Sequence, residues 1–349
     1  MVLNGYIWLD ATSGKQCRFL SIVKKKLGKL GYETLLTTRE HPDTIPLLER
    51  LGVDHRVVGR YMISSLEDKL KASLERELSL FGLLRDLGLP SLSITDMSPD
   101  QCAVSFKLRV PLVGTADTVH AQIVNRLCIP LIDVLIASKG VARHFLRYAP
   151  KKMVAYNGCD PVAWVRGFKP NGSVLEGLGL APGEPFALAR AMETRATYYW
   201  GGPDLSLEYA KRLLKHTKVI YVPRYPDQMK GAKPVKGLIV PSGFVDTLSL
   251  AAFASVVISR GTIAGESSLM GTPTISPRAP RIGFDELYRY LGQMGFPLYL
   301  SEPDEVVSKA VDMIRRQEKY RRDTRVLLEG MQDPSDIIID QAKELLEEA

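Results

Sequence analysis

The chain has 349 residues, 45% of them hydrophobic and 24% charged, with a net charge of +7; this is the make-up of a folded globular protein too long for one hydrophobic core, and it predicts two domains. No window approaches the roughly 20 uninterrupted apolar residues of a spanning helix, and Met1 to Asp10 has no basic stretch ahead of an apolar core, so a cytoplasmic location is expected. The four cysteines, Cys17, Cys102, Cys128 and Cys159, are widely spaced with no histidines at ligand spacing, which argues against a structural zinc site.

Short apolar runs alternate with amphipathic ones from the start. Tyr6 to Asp10 reads as a strand and Thr12 to Gln16 as a loop; the next helix carries Phe19, Leu20, Ile22, Val23, Leu27 and Leu30 until Gly31 stops it. Glu33 to Thr38 and His55 to Val58 read as strands on either side of a helix from Thr44 to Leu51. A long amphipathic helix spans Ser64 to Leu87. Its apolar residues Leu66, Leu70, Leu74, Leu78, Phe81 and Leu84 have the spacing of a face packed on a sheet. Ser91 to Thr95, Val110 to Gly114 and Val134 to Ala137 follow as short apolar strands, the signature of buried parallel sheet. Turn formers then cluster between Lys151 and Ser173, which places the inter-domain linker there. The expected domains are 1–165 and 166–349, with the last helix a candidate to pack back on the first.

A second series has strands at Pro185 to Arg190, Val219 to Pro223, Leu238 to Val240, Val256 to Ser259 and Thr274 to Ser276, with a charged helical stretch from Glu302. The fold class is therefore α/β: two doubly wound, Rossmann-like domains facing across a cleft where both sheets present the carboxyl ends of their strands.

One joint carries a chemical signal. The strand ending at Ser259 runs through Arg260-Gly261-Thr262 into a helix. Gly261 lets backbone approach a ligand, and the first N–H groups and dipole of the helix favour an anion. Glu266, one turn in, is placed to accept from ribose hydroxyls. The plain alternative is an ordinary strand-turn-helix joint. The positive charge also suits anionic partners, but no nucleic-acid-binding signature accompanies it, and nucleic acid is not expected.

Nearly the whole chain resembles the GT-B architecture of nucleotide-sugar enzymes, and it is most similar to the largely archaeal family called domain of unknown function 354. The resemblance rests on Ile7-Trp8-Leu9-Asp10, Thr37-Thr38-Arg39-Glu40, Asp117-Thr118-Val119-His120, Asn125-Arg126-Leu127, Tyr156-Asn157-Gly158, and Gly261-Thr262 with Glu266 and Gly271-Thr272-Pro273. The last segment also resembles the nucleotide-binding part of UDP-N-acetylglucosamine 2-epimerases and related N-acetylglucosaminyltransferases. It implies that Gly261 and Thr262 hold a diphosphate and Glu266 a ribose. The epimerases carry Ser-Gly-Gly where this chain has Arg260-Gly261-Thr262, so Arg260 either adds phosphate donors or forms a structural ion pair. Arg190 and Arg224 end strands where GT-B enzymes place cations near the diphosphate. Alternatively, they balance Glu193 or Asp227. Phe244 either stacks on the base or packs under its loop.

In the first domain Asp10 ends a strand as a base, an acceptor ligand or a helix cap, and Asp96, Ser98 and Asp100 invite similar readings. Asp117 and His120 form a carboxylate–imidazole pair suited to proton transfer, or a structural pair. No hydrolase elbow, zinc-peptidase motif or lysine P-loop is present.

The expected function is a nucleotide-sugar-dependent, metal-independent glycosyltransferase with a UDP-sugar donor and no further cofactor. Sugar epimerisation is the alternative, and a non-catalytic nucleotide-binding scaffold a second. The acceptor stays open, a lipid-linked one included, in which case the Ser64 to Leu87 helix would lie on the inner face of a membrane.

Overall fold

The computed structural model describes residues 5–62, 65–196, 199, 202–232, 235–278 and 285–348. The chain divides into two compact units, Met1–Trp164 with Gln332–Ala349, and Val165–Met331. The second unit thus ends before the last helix, Pro334–Glu348, which packs on the first sheet and on the Gly14–Lys29 helix. Lys26 ties its start, with Nζ 2.9 Å from Asp333 Oδ2 and 2.5 Å from Asp336 Oδ1.

The first unit is built on seven strands: β1 (Ile7–Asp10), β2 (Thr34–Glu40), β3 (Arg56–Arg60), β4 (Leu92–Thr95), β5 (Leu112–Ala116), β6 (Val134–Ser138) and β7 (Lys152–Tyr156). All pair in parallel, in the order β3-β2-β1-β4-β5-β6-β7. The order reverses between β1 and β4, the switch point of a doubly wound sheet, where loops at the strand ends diverge and leave room for a ligand. Every residue of β1, β4, β5 and β6 is buried, because helices cover both faces; that is why these strands read as unbroken apolar runs.

Two expectations change here. β7 lies inside the stretch assigned to the linker: Lys152 to Tyr156 is partly exposed at the sheet edge, so its pattern is loose, and pairing with β6 makes it a strand. The long helix runs Leu66–Leu87, capped by Ser65 and Asp68 in a reciprocal box; the expected start at Ser64 lies outside the described residues. Of the six residues expected on its packed face, only Leu84 packs inward. Leu66, Leu70, Leu74, Leu78 and Phe81 are exposed, while Arg76, Leu80 and Leu84 turn inward. The reason is electrostatic. Asp10 and Asp100 need a buried cation, Arg76 supplies it, and Leu80 and Leu84 share its face at four-residue spacing. Gly59, at φ +75°, makes room for this, since a Cβ there would stand 2.8 Å from Arg76 Cγ.

The second unit has six parallel strands: β8 (Phe186–Arg190), β9 (Lys218–Val222), β10 (Leu238–Ile239), β11 (Val256–Ile258), β12 (Thr274–Pro277) and β13 (Leu298–Ser301). Their order is β10-β9-β8-β11-β12-β13, again with a switch point, between β8 and β11. Sequence reading did not anticipate β13, a short edge strand with two half-exposed residues. Apolar clusters fill both faces, one around Ala189, Val219, Tyr221, Ile258 and Ile275, the other around Phe186, Leu188, Ile220, Leu250 and Val257. Among the described residues no helix is long and apolar enough to cross a membrane.

Candidate functional site

In the first unit, carboxylates from beyond three strand ends converge on one ammonium. Lys15 Nζ stands 2.6 Å from Asp160 Oδ2, 2.9 Å from Asp117 Oδ2 and 3.2 Å from Asp96 Oδ1. Asp96 follows β4, Asp117 follows β5, and Asp160 lies four residues past β7. The Tyr156 hydroxyl donates to Asp160 Oδ1 at 2.5 Å, Thr115 Oγ1 to Asp96 Oδ1 at 3.1 Å, and Thr118 Oγ1 to Asp117 Oδ1 at 2.7 Å. Gln16 Nε2 donates to the Asp96 carbonyl at 2.5 Å. Met97, next to Asp96, holds a φ of 58°, a left-handed conformation rare for a side chain of its kind and characteristic of sites where geometry is imposed.

Three carboxylates against one ammonium cannot all be at ease. Burial first, and then the charges of Asp160 and Asp117, outweigh the pull of Lys15 and raise the Asp96 carboxyl to about 7. For Asp117 burial also raises, but Lys15, its hydrogen bonds and His120 together hold it below the ordinary carboxylate range. Burial would discharge Lys15, yet the three carboxylates keep its ammonium firmly protonated. The result is a carboxyl group that exchanges its proton near neutrality beside a fixed positive charge, the requirement for a general base or acid. Among the described residues no cluster of three or more His, Cys, Asp or Glu suits a metal ion; Lys15 fills the centre of the one carboxylate group described here.

Asp117 is thus placed at this centre, and Asn125 braces the loop that follows it by donating to the carbonyls of Thr118 at 3.0 Å and Val119 at 3.3 Å. Asp10 is not. It is fully buried, paired with Arg76, and accepts from Ser98 Oγ and Thr37 Oγ1 at 2.6 Å each. The helix cap, one of its three expected roles, is provided instead by Ser13. Lys15 escaped sequence reading, though a signal existed. It sits in the first turn of the Gly14–Lys29 helix, where the macrodipole disfavours a cation and no acidic residue is present, so its partners had to come from elsewhere.

In the second unit, Gly261 occupies the N-cap of the Thr262–Leu269 helix with φ 82° and ψ −160°, a conformation open to glycine and costly for other residues. Its own polar groups are engaged. Its N–H donates to the Tyr288 hydroxyl at 2.6 Å, and that hydroxyl donates back to its carbonyl at 3.0 Å. Helix geometry leaves the N–H groups of Thr262 and Ile263 as the outward donors. Arg224 reaches this turn: its Nη2 is 3.9 Å from the position a Cβ would take on Gly261. The same guanidinium donates from Nε to the Ala191 carbonyl at 3.2 Å and has Nη1 3.7 Å from Glu193 Oε2.

Arg260, in contrast, is buried and structural, donating to the Pro277 carbonyl with Nη2 3.9 Å from Asp285 Oδ1. Glu266 is buried one turn into the helix. Arg190 ends β8 in register with Val222, two residues before Arg224. Phe244 is 48% exposed.

Comparison with known proteins agrees with this architecture. An uncharacterized protein of Methanocaldococcus jannaschii is 25% identical over 97% of this chain and 98% of its own. Among solved structures, the S. aureus MnaA–UDP co-structure superposes with a TM-score of 0.72 at 14% identity, covering 99% of this chain and 97% of that one. A candidate UDP-N-acetylglucosamine 2-epimerase from Listeria monocytogenes gives 0.69 at 12% identity over 99% and 98%. The spinosyn forosaminyltransferase SpnP gives 0.64 at 14% identity over 98% and 100%. At these identities the likeness shows the fold, which is GT-B type with two Rossmann-like units. Residues 5–347 match the family described as Protein of unknown function (DUF354), and the chain belongs to it.

Proposed function

We propose that this chain is a nucleotide-sugar-dependent glycosyltransferase of GT-B type with a uridine diphosphate sugar as donor. The observation that carries the reading is the buried Lys15 ammonium held among Asp96, Asp117 and Asp160 beyond the carboxyl ends of parallel strands, where burial raises the Asp96 carboxyl. In this reading the second unit binds the donor: Arg224 and the first N–H groups of the Thr262–Leu269 helix receive the diphosphate, and Glu266 the ribose. As the bond from the anomeric carbon to the phosphate oxygen breaks, negative charge grows on the leaving diphosphate and these fixed donors neutralise it. The reading calls on no metal ion and no further cofactor. The first unit supplies the base, with Asp96 taking the proton of the acceptor hydroxyl as its oxygen bonds to the sugar.

A second reading, epimerisation by elimination and re-addition of the diphosphate, is favoured by one specific observation. Lys15, Asp96, Asp117 and Asp160 place several proton-transfer groups together, which that chemistry needs.

A thermal-shift panel of UDP, GDP, dTDP, CMP and ADP and their sugars comes first, since a ligand that binds only the folded chain raises its midpoint. Incubation with the selected sugar nucleotide in deuterated water then separates the readings. A new sugar isomer carrying deuterium marks an epimerase, whereas diphosphate nucleotide released only with an acceptor marks a transferase. If no nucleotide shifts the midpoint at millimolar concentration, both readings fail.

A further inference from the structure

Arg39, the penultimate residue of β2, reaches the segment that leads into the Gly14–Lys29 helix and has an unusual environment. Among the described residues it makes no ion pair; Asp10 and Asp100, whose charges it feels, are both bonded to Arg76. Of its three side-chain nitrogens only Nη2 has an acceptor, the Thr12 carbonyl at 3.2 Å, and Nε is shielded from solvent with no hydrogen-bond partner. Its guanidinium carbon lies 4.6 Å from the centroid of the Tyr61 ring, which stacks in turn on His41 at 4.6 Å. Burial first, and then repulsion from Arg76, lowers its affinity for its own proton. A half-buried cation with donors to spare, whose nearby carboxylates Asp10 and Asp100 are already bonded to Arg76, offers an anion an open set of donors.

Its position gives that anion a role. Thr12, whose carbonyl holds Arg39, donates from its N–H at 2.6 Å and its hydroxyl at 2.8 Å to Gln16 Oε1, and Gln16 donates to the Asp96 carbonyl. Through Thr12 and Gln16, hydrogen bonds therefore tie Arg39 to the main chain of Asp96, the residue that carries the proposed base.

We propose that Arg39, backed by Tyr61 and held by Thr12, binds a phosphate group carried by the acceptor whose hydroxyl meets the Lys15–Asp96 centre. This inference rests on the transferase reading for its placement on the acceptor side. The chemistry is that of a fork of N–H donors on a phosphate, whether the phosphate belongs to a lipid or to a soluble sugar or polyol.

The test uses the full chain carrying Arg224→Gln, which disables the anion-binding turn of the second unit. Titration calorimetry with glycerol 3-phosphate and with farnesyl phosphate should show saturable binding. Adding Arg39→Gln should weaken it roughly tenfold or more, and Arg39→Lys should restore part of it. Tighter binding of farnesyl phosphate names a lipid-borne source, and equal binding a soluble one. In the unaltered chain the guanidinium NMR signals of Arg39 should shift when either phosphate is added, a readout that needs no variant. Equal phosphate affinity with and without Arg39, unshifted Arg39 signals, or equal binding of acetate overturns the proposal. Stabilisation of the wild type by UDP is measured separately. Its absence would remove the transferase reading and leave the phosphate result standing.

Discussion

Arg76 donates two hydrogen bonds to Asp10, Nη2 to Oδ1 at 2.6 Å and Nη1 to Oδ2 at 3.0 Å, with both side chains sealed from solvent. Removing one partner of such a pair strands a buried charge. Arg76→Met should therefore destabilise the chain by about 3–5 kcal/mol in chemical denaturation. The pair also sets an acid limit. Burial raises the Asp10 carboxyl, but Arg76, Ser98 and Thr37 outweigh it, and the net result lies below the ordinary 3.8. A lowered folded value stabilises above 3.8, and that stabilisation is lost as pH falls through the folded value. The midpoint should drop more steeply below pH 3.8 in the wild type than in Arg76→Met.

Asp96 acts with the opposite sign. Its folded value of about 7 exceeds the ordinary 3.8, so between these values the folded chain holds a proton that the unfolded chain has released. Stability should fall as pH rises through that window and level off above it. Asp96→Asn should flatten the slope in midpoints recorded across the same range.

The same residue should govern turnover. If Asp96 is the base, kcat rises as pH passes through about 7, and Asp96→Asn lowers kcat by roughly 10²–10⁴-fold while nucleotide binding persists. Unchanged kcat in that variant would reassign the base.

Two glycines separate binding from folding. Gly261→Ala should cost about 1–3 kcal/mol, because φ is 82° there, and should weaken UDP binding together with Arg224→Gln. Gly271, at φ 79°, has no room at all, since a Cβ would stand 1.9 Å from the Arg322 carbonyl oxygen. Gly271→Ala should therefore cost roughly 3 kcal/mol or more in denaturation and impair folding before it affects nucleotide affinity.

The orientation of the Leu66–Leu87 helix is equally testable. Leu74 is 53% exposed and Leu80 fully buried. Leu74→Gln should change stability by no more than about 0.5 kcal/mol, whereas Leu80→Ala should cost about 2–5 kcal/mol. Similar losses at both positions would mean that the exposed stripe is covered in solution.

What the sequence determined by itself was the alternation of buried strands and helices, and hence the doubly wound class. Strands such as Val134–Ser138 announce themselves because helices cover both faces and leave no polar position. The Gly261 turn was legible for a similarly local reason, a small residue between an apolar strand and a helix start. Edge strands such as β7 and β13 were not, because half of each faces solvent and its residues read as loop. Tertiary structure alone decided which side chains meet. Lys15 finds Asp96, Asp117 and Asp160 across sequence separations that no periodicity encodes. The long helix turns Leu66, Leu70, Leu74 and Leu78 outward for the same reason: two buried carboxylates demanded Arg76, and an unpaired buried charge costs more than an exposed leucine.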